Sequence, residues 1–123
     1  MVTYDMFIGF EKTPEGLEAF LEERGYKKEN FQEGNSSIEN YVNKKYGSPN
    51  ITFYPQSLSG DEDEIPDWTK YKHEILSELY IEAEHYPLEV IDEAERLSKE
   101  IINRFDGVLY DAELDEFFER GQL

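Results

Sequence analysis

The sequence predicts an α+β fold, a mainly antiparallel sheet with two helices on one face. Three observations carry this expectation. Residues 2–10 alternate apolar and polar side chains with the period of two that belongs to a strand. Residues 87–105 keep an apolar period of 3.6, the mark of an amphipathic helix. Between and after them, β-prone runs are separated by turn-forming residues. A chain of 123 residues suits one domain, taken as 1–123, and can bury roughly two thirds of its unfolded surface.

In the first strand Val2, Tyr4, Met6, Ile8 and Phe10 share one face, and Thr3, Asp5, Phe7 and Gly9 the other. Thr13 suits an N-cap, Pro14 the first helical position and Glu15 the positive end of the helix dipole. Leu17, Phe20 and Leu21 follow at helical spacing and Gly25 offers a left-handed stop, so a first helix of about 11 residues is expected. Residues 27–37 are polar and rich in turn formers and read as a loop. Residues 38–46 and 51–54 flank Gly47-Ser48-Pro49-Asn50 and read as a hairpin, with Pro55 removing a ladder donor at its end.

Residues 57–67 form an acidic loop with five acids, Gly60 and Pro66. From Ile75 alternation resumes: Ile75, Ser77, Leu79, Ile81 and Ala83 on one face, and Leu76, Glu78, Tyr80, Glu82 and Glu84 on a solvated acidic one. Pro87 opens the strongest helix. Its stripe of Val90, Ile91, Ala94, Leu97, Ile101 and Phe105 is expected to pack on the sheet with Leu17, Phe20, Leu21, Ile8 and Phe10. Asp106-Gly107 ends this helix, residues 108–110 form a last short strand, and residues 112–123 form an acidic tail. Leu114, Phe117 and Phe118 stand at helical spacing in that tail. With one middle strand set aside the order is βαββαβ, so the expected architecture is a ferredoxin-like βαββαβ variant with one extra strand.

The charge narrows the function. Acids outnumber bases 29 to 12, for a formal net charge of -17, and residues 61–123 alone carry 20 acids against 6 bases. Such a body is repelled by phosphate backbones and anionic lipid, which removes direct nucleic-acid and membrane binding. Absence of cysteine removes disulfides, thiol nucleophiles and iron–sulfur ligation together. No apolar run approaches the ~20 residues of a membrane span and residues 1–5 lack the start of a signal peptide, so a cytoplasmic location is expected.

Motifs for catalysis are sparse. His73 and His85 are the only imidazoles and flank a predicted strand, which would hold them about 30 Å or more apart. Surface or capping roles are expected for both. Gly60-Asp61-Glu62-Asp63-Glu64 has alternating oxygens, but Ile65, Pro66 and Lys72 occupy positions where a calcium loop needs a ligand, a glycine and a bidentate glutamate. No metal, cofactor or catalytic residue is therefore expected. No phosphate-binding glycine loop and no GxSxG occurs. Phe53, Tyr54 and Tyr41 read as core or half-buried sheet residues.

The acidity admits two readings, solubility or a surface complementary to a basic protein. On the second reading, the partner-binding residues are Asp61, Glu62, Asp63, Glu64 and Asp67 of the loop and Asp111, Glu113, Asp115 and Glu116 of the tail. Trp68, Tyr71 and Phe117 are their aromatic anchors.

Residues 91–111, IDEAERLSKEIINRFDGVLYD, join an amphipathic helix through a Gly turn to a short strand ending in Tyr-Asp. This run resembles a module of small acidic immunity proteins from bacterial polymorphic toxin and contact-dependent inhibition systems. The resemblance implies a non-enzymatic inhibitor that covers the active site of a basic toxin, a nuclease being one candidate, and it carries over no catalytic residues. The alternative is a nucleic-acid mimic that inhibits a DNA-binding or restriction protein, and the third reading is a small enzyme or ligand-binding domain.

Overall fold

The structure, a computed structural model, describes residues 3–30, 38–55, 74–84, 88–111 and 116–119. Along the chain run β1 (Thr3–Phe10), α1 (Leu17–Glu23), β2 (Lys27–Asn30), β3 (Glu39–Val42), β4 (Asn50–Tyr54), β5 (Ser77–Glu84), α2 (Glu89–Phe105), β6 (Val108–Asp111) and β7 (Glu116–Phe118). The seven strands make one sheet in the order β2-β3-β4-β5-β1-β6-β7, antiparallel at every junction. The α+β class and the two helices stand as expected. The sheet carries three strands beyond a four-strand βαββαβ unit, where one was expected.

β1 is an interior strand, bonded along both edges. It pairs with β5 over its whole length, from Thr3 opposite Glu84 to Phe10 opposite Ser77, and with β6 through Phe7, Ile8 and Gly9. Its Met6, Ile8 and Phe10 join Leu79, Ile81 and Ala83 of β5, Ile51 and Phe53 of β4, Tyr41 of β3 and Leu109 of β6 in one core. Leu17, Phe20 and Leu21 of α1 and Val90, Ala94, Leu97, Ile101 and Ile102 of α2 belong to the same cluster, which places both helices on this face. The predicted α2 stripe is right, except that Ile91 and Phe105 are half-buried at its margin.

Four local expectations are corrected. α1 has 7 residues and begins at Leu17, because Gly16 takes a left-handed φ of 87° that separates the Pro14 turn from the helix. Thr13 is therefore not the N-cap. Residues 27–30, expected in a loop, form β2: the ladder to β3 supplies their backbone partners. Lys28 also reaches Glu39 at 2.5 Å and Glu18 of α1 at 3.3 Å. The hairpin of β3 and β4 is present with Tyr41 opposite Ile51, but β3 stops at Val42. There the Asn43 Oδ1 accepts the Lys45 N–H at 3.0 Å and starts the turn early. Phe117 and Phe118, read with Leu114 as standing at helical spacing, lie with Glu116 in β7 instead, because the edge of β6 offers a ladder.

The end of α2 divides two jobs between neighbours. Asp106, not Gly107, adopts the left-handed conformation, with φ 56°, and its N–H donates to Ile102 O. Gly107 is required by closeness: a Cβ there would lie 2.7 Å from Ile8 Cγ2 and 3.1 Å from Phe10 Cε1. α2 is stitched to α1 by Arg24, whose guanidinium donates to Glu100 Oε2 at 2.6 and 3.0 Å and lies 3.6 Å over the Phe20 ring. Phe20 in turn meets Phe105 edge to face at 5.5 Å.

Two stability outcomes follow from this packing. Leu97 is fully buried, so Leu97→Ala should lower the unfolding free energy by about 2 to 5 kcal/mol in a denaturant titration. A loss under about 1 kcal/mol would show that α2 does not carry the core. Gly107→Ala should cost about 1 to 3 kcal/mol through overpacking against Ile8, whereas Asp106→Gly should leave stability equal or raise it by up to about 1 kcal/mol. Equal effects at the two positions would contradict the division of roles.

Candidate functional site

Of the residues predicted to meet a partner, Asp61, Glu62, Asp63, Glu64, Asp67, Trp68, Tyr71, Glu113 and Asp115 lie outside the described residues, as do His73 and His85. Asp111, Glu116 and Phe117 are described, at the β6–β7 end of the sheet. Asp111 and Glu116 are cross-strand partners. Like charges placed directly opposite in an antiparallel pair repel. Phe117 does not share their face. It stands opposite Tyr110 and packs in the cluster of Ile75, Val108, Tyr110 and Phe7, while Phe118 packs against the helix-side core. The pleat of a strand thus parts three residues that the sequence reading grouped together.

The face of the sheet turned away from the helices carries a row of aromatic rings across four adjacent strands. Tyr80 of β5 stacks on Phe7 of β1 at 4.9 Å with an interplanar angle of 8°. Phe7 meets Tyr110 of β6 at 6.5 Å, and Tyr110 meets Phe117 of β7 at 5.2 Å. Phe7, Tyr80 and Phe117 are half-buried, whereas Ile75, Val108 and Tyr110 are buried. Glu78, expected on a solvated face, is buried too, at 4% exposure. It stands between Gly9 of β1 and Tyr54 of β4, near the start of β5.

At one end of the row the Tyr80 hydroxyl lies 2.8 Å from Asp5 Oδ1 and 2.8 Å from Glu82 Oε2. It has one proton and donates to one carboxylate at a time. Asp5 and Glu82 are themselves direct cross-strand partners. Burial, then the hydrogen bonds and negative charge of these two carboxylates, holds the Tyr80 phenol far above its ordinary range. Asp5, Phe7, Tyr80 and Glu82 were not among the predicted partner residues. The alternation of β1 and β5 already places them on the face opposite the core, but only the register brings them together.

A second feature lies on the helix side of the β6–β7 edge, a pocket of about 190 Å³ between α2 and the sheet. Met6, Leu109 and Phe118 supply its apolar floor, and Glu95, Lys99 and Asp111 its charged lining. Ser98, at its base, is buried and its hydroxyl lies 2.7 Å from Ala94 O and 3.2 Å from Met6 Sδ.

Among the described residues no group of three or more His, Asp or Glu is placed to hold a metal ion. No helix of these residues is long and apolar enough to cross a membrane. No protein family, curated protein or solved structure matches the chain.

Three phenols set an alkaline limit. Burial and the Glu39 and Glu18 carboxylates push Tyr41 up to about 12. Burial and Glu93 hold Tyr26 higher still, and Tyr80 is raised as described. Each stays neutral in the fold after its unfolded counterpart, near 10.0, has ionised, so the stability these groups contribute is complete below pH 10 and falls as pH rises through their folded values. A tyrosinate absorbance titration followed together with circular dichroism should therefore show Tyr26, Tyr41 and Tyr80 ionising late, with loss of structure. Nine tyrosines titrating in one step near pH 10, with the fold intact, would contradict this burial.

Proposed function

We propose that the chain is a non-enzymatic protein-binding inhibitor, acting as a cytoplasmic immunity protein that neutralises a basic toxin by covering its active site. The observation that carries this reading is the Tyr80 hydroxyl held between the opposed Asp5 and Glu82 carboxylates at the end of an aromatic row. Two carboxylates set directly opposite each other form a compact acceptor for an arginine or lysine of a partner. The adjoining Phe7 and Tyr80 rings offer cation–π and apolar contact to the same side chain. Rigid tyrosines beside charge are the usual chemistry of binding hot spots.

The long-range part of the reading is electrostatic. A net charge of -17 draws in a basic partner and acts mainly on the association rate. The aromatic row favours a protein partner with apolar anchors over mimicry of a phosphate chain, whose groove is read mainly by evenly spaced charge. The central strands also support the ferredoxin-like reading: the order β4-β5-β1-β6, with α1 and α2 on one face, is that of a split βαββαβ unit flanked by β2, β3 and β7.

The test is coexpression with each basic protein encoded beside this chain, scored by cell survival, followed by stopped-flow association with the protein that is neutralised. The expected result is protection and a rate constant that falls steeply towards 1 M salt, where screening shortens to about 3 Å. In Asp5→Asn/Glu82→Gln, with an unchanged melting temperature, association should slow about tenfold. Undiminished binding by that variant, or protection against none of the neighbouring products, would overturn the reading.

A further inference from the structure

We infer that Asp106–Gly107 is a site of spontaneous backbone modification, isoaspartate formation, which the native fold holds shut and the opening of β6 exposes. Asp106 is the one aspartate or asparagine in the chain that precedes a glycine. It is also the one described non-glycine residue with a positive φ, at 56° with ψ 50°. Glycine or asparagine usually holds that place at the end of a helix, and a carboxylate there meets the negative end of the helix dipole. The reaction needs only the chain and water. The Gly107 nitrogen attacks Asp106 Cγ, and the new N–C bond closes a five-membered imide while the amide proton and the carboxyl hydroxyl leave as water. Water then opens the ring at either carbonyl. Opening at the main-chain carbonyl leaves the chain running through the aspartate side chain, one methylene longer. Nothing is oxidised or reduced, and glycine leaves the attacking nitrogen uncrowded.

The fold blocks the first step by torsion. Ring closure brings the Gly107 nitrogen and the Asp106 Cβ to the same side of the Cα–C bond, at a ψ of about −120°, outside the main allowed regions of an L-residue. At ψ 50° the nitrogen stands nearly anti to Cβ and out of reach of Cγ. Turning ψ to the closing value reverses the direction in which the chain leaves α2. Three features resist that turn. The Asp106 and Gly107 N–H groups both donate to Ile102 O, the second at 3.2 Å. Gly107 is buried so close to the sheet that a Cβ there would lie 2.7 Å from Ile8 Cγ2. Beyond it Val108 and Leu109 are paired with Gly9 and Ile8 of β1. The ring therefore closes only when β6 has left β1. The closeness that demands glycine at 107 thus makes this bond labile once it opens, and the added methylene pushes Gly107 off the seat it must regain.

The experiment follows conversion at residue 106 in the whole chain, native and in urea, at one pH and temperature. Digestion, chromatographic separation of the isomeric peptides and fragmentation read the isoaspartate. The native chain should convert about a hundredfold or more slowly than the denatured chain, the protection of a core-anchored segment that opens rarely. Asp106→Asn gives the same measurement a mass signal, since its ring closes by expelling ammonia and reopens to a heavier product. Asparagine tolerates the left-handed conformation, so the same ratio is expected in that variant. Leu109→Ala, which loosens a buried residue of β6, should speed native conversion at least about tenfold and leave the rate in urea unchanged. In the parent chain, urea below the unfolding midpoint should speed conversion in the same direction. Chain carrying isoaspartate at 106, purified from the denatured incubation, should melt at a lower temperature than unmodified chain taken through the same steps. Absence of conversion at 106 in urea would overturn the site itself. A native rate within about threefold of the denatured one would overturn the torsional block. Native conversion that neither Leu109→Ala nor low urea accelerates would remove β6 opening as the gate, and an isoaspartyl chain with the parent melting temperature would overturn the loss of the Gly107 seat.

Discussion

The pleat of β1 is the constraint on which the rest of the structure depends. Met6, Ile8 and Phe10 must go under the helices, which sends Asp5, Phe7 and Gly9 to the opposite face. A one-residue slip against β5 would exchange the two sets and bury Asp5 in the core. The full-length pairing with β5 and the three-residue pairing with β6 hold that register from both sides. Gly107 adds a third lock, since the chain entering β6 passes so close to Ile8 that a Cβ there would force the Ile8 side chain to shift.

From that register the arrangement of the two faces follows. On the helix side the core closes over Ile8, and the weaker shielding towards the β6–β7 edge leaves the Met6, Leu109 and Phe118 pocket. On the other side Phe7 becomes the middle of an aromatic row, with Tyr80 stacked on it and Tyr110 and Phe117 beyond. Arg24 and Phe20 tie α1 to Glu100 and Phe105 of α2, so that the layer covering the core is one connected piece.

Like charges stand opposite each other at two places in the sheet. Two pairs of acids, Asp5 with Glu82 and Asp111 with Glu116, face each other directly across antiparallel ladders. Elsewhere opposite charges meet, as in Lys28 between Glu18 and Glu39 and Arg96 between Glu93 and Glu100. The first pair lies on the aromatic face and the second beside the pocket. In the first pair the Tyr80 proton partly screens the repulsion.

Much of the framework was legible in the sequence, because periodicity is a local property. The period of two in β1 and β5 and the period of 3.6 in α2 announced those elements and the residues they bury, and turn formers announced the hairpin of β3 and β4. Elements whose existence depends on a neighbour were not legible. β2 reads as a polar loop and β7 as a helical tail until β3 and β6 offer open ladders beside them. The left-handed residue at the end of α2 fell on Asp106 because Gly107 was claimed by the close approach to Ile8, a contact 99 positions away in the chain. The site divides in the same way. The acidity and the aromatics belong to composition, and the alternation of each strand assigns its residues to faces. Which carboxylates meet which rings is decided by register between strands more than 70 residues apart, and only the tertiary structure sets that register.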